Sequence, residues 1–194
     1  GNVVTDAQIT AIRTGTFKDL YIGDYWATST GKVFRIAGFD YWYGKGDQRE
    51  NRHHAVIVTD YNVTSQAFDP YIMVGNTDGY ASSPIHNMLQ TAIGQLNRDA
   101  IFKDKILTRR EFLITTLDGT AGVPTSGTWF DVNSILLNEP MVFGAYIYAV
   151  GTSYVGEGVY EPSRRTISNT QLPLFRLAPK HILLSSFSHN FNQT

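Results

Sequence analysis

Three β-type runs follow one another closely between Leu20 and Asp60, and they constrain the fold more than any other part of the chain. The stretch reads YIGDYW, then KVFRIAGFDYWYGKGDQRENRHH, then AVIVTDY, dense in Tyr, Trp, Phe, Ile and Val and punctuated by turn residues. Aromatic and β-branched side chains fit a pleated, half-buried surface. The stretch is therefore expected to nucleate a globular domain. Its first strand is predicted over Leu20–Thr28, with a bulge at Gly23-Asp24, and Ser29-Thr30-Gly31-Lys32 reads as a hairpin-type turn. A second strand runs from Val33 to about Tyr43 and bends at Gly38. Gly44 to Arg52 forms a polar loop, and His53-His54-Ala55-Val56-Ile57-Val58 resumes as a buried strand.

Helices are expected around this nucleus. Thr5-Asp6-Ala7-Gln8 has the form of a capping box, which with Ile9, Ile12 and a terminal Gly15 predicts a short helix over 6–14. Residues 61–83 are rich in Asn, Thr, Ser, Asp and Gly and read as a long loop. Ser83-Pro84 opens the longest predicted helix, 84–97, whose stripe of Ile85, Met88, Leu89, Ala92, Ile93 and Leu96 would pack on the sheet. Thr108-Arg109-Arg110-Glu111 reads as a second capping box, opening a short helix to about Thr116 with its charges on a solvated face. A loop over Gly119–Gly127, a helix over Val132–Asn138 capped by Asp131, a strand over Met141–Val150, a tip at Gly151–Gly158 and a short apolar segment at Leu172–Leu177 complete the order. The fold class is α+β: a mainly antiparallel, twisted sheet with one long and two or three short helices packed on it.

At 194 residues the chain suits one domain, with 1–16 as an N-terminal helix or linker and 17–194 as the core. Apolar residues make up 42% and charged ones 17%, the reverse of the balance that keeps a chain disordered. A net charge of −1 gives no basic footprint for nucleic acid, no apolar run reaches membrane-span length, and Gly1 begins no signal-peptide pattern. The absence of cysteine removes disulfides, thiol catalysis and thiolate metal sites.

Nucleotide-binding, zinc-protease and serine-hydrolase motifs are missing, and Gly44-Lys45-Gly46-Asp47 lacks the helix a phosphate loop needs. His53-His54, with Asp60 and His86, invites a metal site, but adjacent strand residues point to opposite faces. One histidine is expected in the core and the other toward the loop, and no metal or cofactor is expected. The best recognition candidates are Tyr41, Trp42 and Tyr43, with Asp47 and Arg49 of the neighbouring loop. Aromatic faces stack on sugar rings while polar neighbours bond hydroxyls; the competing reading is that part of this set fills the core. Asp24, Asp40, Asp47 and Glu50 leave a paired-carboxylate hydrolase open. Asn62-Val63-Thr64 and Asn192-Gln193-Thr194 match the glycosylation sequon, a weak pattern.

The chain resembles a family of structural proteins encoded by tailed phages and prophages of Gram-positive bacteria. The similarity is carried first by Gly15-Thr16-Phe17-Lys18-Asp19-Leu20-Tyr21-Ile22-Gly23-Asp24-Tyr25-Trp26, preceded by Ala11-Ile12, then by Arg35-Ile36-Ala37-Gly38-Phe39-Asp40-Tyr41-Trp42, Gly46-Asp47 and His53 to Val58. Weaker blocks follow at Ile106–Glu111, Leu137-Asn138-Glu139, Val142-Phe143-Gly144 and Gln171–Leu177. Relatives would carry a further Trp-Leu-Arg segment and a terminal strand, where this sequence ends at His189–Thr194. The resemblance implies a non-enzymatic virion component of head, tail fibre, decoration or host attachment, made in the bacterial host. It further implies a homo-oligomer contacting other virion proteins, and a distant kinship with C-type-lectin-like display scaffolds. A host cell-wall saccharide is the external partner expected of an attachment role.

Overall fold

A computed structural model describes residues 1–60, 79–91, 98–117, 124–137, 139–144 and 170–177. Its centre is an antiparallel sheet of β1 (Tyr25–Ala27), β2 (Val33–Phe39) and β3 (Ala55–Thr59), with β2 in the middle. Phe34, Ile36 and Ile57 point to one face, while Ala37, Val56 and Val58 point to the other. Both faces are covered, which is why β2, apart from Arg35 paired with Asp60, reads as an apolar run.

On the first face lies α1 (Asp6–Arg13), whose Ala11 packs with Leu20, Trp26, Ile101 and Phe102. The predicted capping box is present: the Thr5 side chain accepts from the Gln8 backbone and Gln8 returns the bond. Gln8 Oε1 also accepts from Trp26 Nε1 at 3.2 Å, tying the helix start to β1. On the second face, α3 (Glu139–Phe143) and α4 (Pro173–Leu177) bring Met141, Val142, Leu172, Leu174 and Phe175 onto the sheet. Gly38 lies in the register shift of β2–β3, where Leu172 and Pro173 approach it. Burying roughly fifteen such side chains, at ~1.5–3 kcal/mol each, is what offsets the entropy of ordering the segment.

The nucleus is thus where the sequence places it, but its strands are shorter. Strand β1 keeps only three residues of the run Leu20–Thr28, because Leu20 to Gly23 form turns. Gly23 N donates to the Ile36 carbonyl while Ile36 N donates to Asp24, so two residues face one as a bulge requires. Strand β2 stops at Phe39 because Asp40 adopts φ +51, and Tyr41 to Gly44 then turn away.

Five expectations on the C-terminal side are corrected. The helix α2 covers Pro84–Gln90 and not 84–97: Thr91 is extended, and its hydroxyl and its amide both bond the Met88 carbonyl, closing the last turn. Among the described residues only α1 and α2 reach seven residues, so there is no long helix. Residues 109–116, expected as a helix, are strand β4 (Arg109–Leu117). Residues 124–127 of the predicted 119–127 loop belong to β5 (Pro124–Val132), and the predicted 132–138 helix is the end of β5 followed by irregular chain over 133–137. Paired antiparallel, β4 and β5 form a separate ribbon with Phe112 opposite Trp129 in edge-to-face contact at 5.5 Å. A nine-residue ladder with an aromatic cross-strand pair outweighs one local cap. Last, Met141–Phe143 is helical where a strand was expected. Residues 61–78 of the predicted long loop, 92–97 of the predicted helix, 119–123 of the 119–127 loop, the rest of the 141–150 strand, the 151–158 tip and both glycosylation sequons lie outside the described residues.

Candidate functional site

The turn leaving β2 sets up the site. At Asp40 the backbone is left-handed, a conformation an aspartate tolerates when its carboxylate is locally bonded. Here Oδ1 accepts the His54 backbone amide at 2.9 Å and Oδ2 accepts His53 Nδ1–H at 2.7 Å. One carboxylate therefore ties the end of β2 to the entry of β3.

The two histidines behave differently. His54 is buried and both ring nitrogens are engaged: Nδ1–H donates to the Arg52 carbonyl at 2.8 Å, and Nε2 accepts the Trp42 amide at 3.1 Å. That fixes the tautomer, leaves no lone pair for a metal, and burial pushes its pKa down, so the ring is held neutral. His53 is half-buried and stacks on Tyr43 at 4.8 Å. An imidazole oriented by a carboxylate has the form of a general base. Its Nε2 edge, however, lies against Gly15, where φ is +67 and an added Cβ would fall 2.7 Å from that nitrogen. Gly15 leaves that edge only the room that its missing side chain provides.

Of the predicted recognition residues, Tyr41 belongs to the core. It is 7% exposed, and its hydroxyl donates to the Thr170 carbonyl at 2.6 Å. Trp42 is half-buried beside it, with the Arg109 guanidinium 3.7 Å from the ring centroid and the His54 ring at 5.8 Å. Trp42 is therefore a packing surface for protein groups and not an open stacking platform for a sugar. Tyr43 is exposed. Asp47 lies at the surface and accepts Arg110 Nη2 at 2.9 Å, and Arg49, also exposed, adopts φ +49.

Several site residues were missed by sequence reasoning. Arg109 and Glu111 are both buried and form an ion pair at 2.9 Å beneath Trp42. Burial pushes the Arg109 pKa down, with Glu111 opposing that shift. The signal was available as strand period: Arg109, Glu111 and Leu113 share one face at i, i+2, i+4, whereas a helical reading turns Glu111 away from the other two. Arg110 points the other way and holds both Asp47 and Asp131. Glu50 binds Arg52 through Nε and Nη2, which holds its carboxyl below the usual range, and Arg52 Nη2 reaches the Thr108 carbonyl at 2.9 Å.

Between this loop and the start of β4 opens a polar cavity of 330 Å³, lined by Trp42, Lys45, Arg49, Asn51, Arg52 and Arg110 among others. Lys45 is half-buried, its Nζ 4.8 Å from the Tyr41 ring, and burial lowers its pKa. A larger cleft of 830 Å³ is walled by Phe34 and Val58 of the sheet, Met88 of α2, and Phe102 and Leu136 of the segments beside them. No group of three or more His, Cys, Asp or Glu side chains among the described residues is placed to hold a metal.

Compared with known proteins, the chain matches no family model, no curated protein and no solved structure.

Proposed function

We propose that this chain is a non-enzymatic structural protein of a tailed-phage particle, which displays the 41–52 loop as a recognition surface. The particle assignment rests on the residue blocks between Gly15 and Val58 and their weaker successors. The observation that carries the display role is how the loop is held. Acidic and aromatic side chains brace it: Asp40 to the two histidines before β3, Tyr41 to Thr170, Trp42 and Asp47 to Arg109 and Arg110 of β4, and Glu50 to Arg52 within the loop. A loop fixed at so many points presents its remaining groups in one geometry, and such preorganisation lowers the cost of binding. The lectin-like likeness of the scaffold belongs to this proposal, as does assembly with copies of itself.

The hydrolase reading fares worse. A general acid needs a carboxyl raised toward neutrality, whereas Glu50 is held low by Arg52 and Asp47 is tied to Arg110. Asp24 accepts the Tyr21 amide as a turn former.

Antibody labelling of purified phage particles in negative stain tests the proposal. Regular decoration of head, neck or tail is the expected result. Particles that carry no label, while the lysate holds the protein, would overturn it.

A further inference from the structure

The loop cavity carries more positive charge than its own carboxylates neutralise. Five cations surround it, namely Lys45, Arg49, Arg52, Arg109 and Arg110. Four carboxylates answer them: Glu50 on Arg52, Glu111 on Arg109, and Asp47 with Asp131 on Arg110. Among the described residues Lys45 and Arg49 enter no ion pair. These two define the unmatched part of the site.

The two cations differ in a useful way. Lys45 is partly withdrawn from water over the Tyr41 ring, and Glu111 offsets that loss of hydration only in part, without closing an ion pair. Arg49 sits in the left-handed backbone region, which disfavours a non-glycine residue. The turn that imposes it, with Arg49 N bonded to the Gly46 carbonyl and Glu50 N to the Lys45 carbonyl, holds both cations at one cavity mouth. Gln48 and Asn51 line the same space and offer both donors and acceptors. A half-buried lysine beside an exposed arginine, with two amide side chains at hand, suits an oxyanion joined to a hydroxyl-bearing body. Trp42 is already covered, so charge and hydrogen bonding, not ring stacking, would dominate.

Building on the recognition role of this loop, we infer that the cavity binds a phosphate group carried on a saccharide, with Lys45 and Arg49 contacting the phosphate and Gln48 and Asn51 the hydroxyls. Amide chemical shifts of the full chain, followed during titration with glucose 6-phosphate, glucose and inorganic phosphate, test this. Glucose 6-phosphate is expected to move the amides of residues 44–52 and to bind at least ~10-fold more tightly than glucose. Inorganic phosphate should act on the same amides more weakly. Lys45→Gln and Arg49→Gln should each weaken sugar-phosphate binding by ~3–10-fold. Lys32→Gln, in the hairpin turn outside the cavity lining, should leave it unchanged, and thermal melts of all three variants report on folding.

Equal affinity for glucose and glucose 6-phosphate at this loop would overturn the phosphate inference while leaving a recognition role in place. Binding unaffected by both cavity variants, or no loop shifts with phosphate in any form at about 20 mM, would also overturn it. Particle labelling does not depend on the cavity and decides the structural reading separately.

Discussion

His54 shows how a group that looks like chemistry becomes structure. The imidazole is neutral because burial disfavours its charged form, although Asp40 and Glu50 pull its pKa up and Arg109 pushes it further down. His86, buried against Tyr80 with Nδ1 unpartnered, is depressed by burial alone. For both, the folded pKa lies below the unfolded value of about 6.5. Above that value neither state binds the proton and stability is full. As pH falls through it, the unfolded chain takes up protons first, so stability declines until the folded pKa is passed. Each histidine contributes at most ~1.4 kcal/mol per pH unit in that window. Urea unfolding from about pH 7 to about pH 5 should therefore show falling stability, and His54→Gln should flatten the slope while lowering the plateau by ~1–3 kcal/mol. A slope that His54→Gln leaves unaltered would remove this account of the ring.

At the scale of elements, the sequence was most readable where local chemistry and packing agree. The Thr5–Gln8 box, the Gly23-Asp24 bulge and the β2–β3 nucleus all lie in one contiguous stretch, so their signals are local. The ribbon was misread because Thr108-Arg109-Arg110-Glu111 satisfies a capping pattern by itself, while its true partner, Val132 opposite Arg109, lies far along the chain. Nothing in a four-residue window reports a nonlocal ladder. The candidate site suffered likewise: Asp47 and Arg49 were found from the loop, but Arg109, Arg110 and Glu111 enter it only through the ribbon. Gly79 offers a test of that docking. Its amide bonds the Thr115 carbonyl at 2.8 Å, and an added Cβ would lie 2.2 Å from the Ile114 carbonyl oxygen. Gly79→Ala should then cost ~2 kcal/mol or more by pushing backbone from backbone. At Gly31, φ is +77 but nothing lies within 4 Å, so Gly31→Ala should cost only the ~1–2 kcal/mol of its dihedral. Thermal melts that rank Gly31→Ala as the more damaging change would show that the 79–83 turn does not sit on β4 as described.

Across the whole molecule, the two packing units differ in how they are stabilised. The three-stranded sheet is covered on both faces by apolar clusters. The β4–β5 ribbon has only two strands, and such a pair is at best marginal alone. Its attachment to the rest depends heavily on polar links, of which Arg109 against Trp42 and Glu111, Arg110 to Asp47, and Thr108 to Arg52 are the main ones. The loop cavity lies on this joint, so whatever loosens the ribbon also reshapes the candidate site. Units held by different forces open at different free energies. Native-state hydrogen exchange should find the β2–β3 amides slowest and those of β4–β5 exchanging through a lower-energy opening. Arg109→Met removes the buried cation paired with Glu111, and losing one partner of a buried pair costs ~3–5 kcal/mol. That loss should appear chiefly as faster exchange across 109–117 and 124–132, with much smaller changes at 33–39 and 55–59. In the double variant Arg109→Met with Glu111→Leu, exchange in the ribbon should return most of the way, because no charge is left buried and unpaired. Uniform acceleration of all four strands by Arg109→Met would mean that sheet and ribbon unfold as one unit, and that the joint is no weaker than the core.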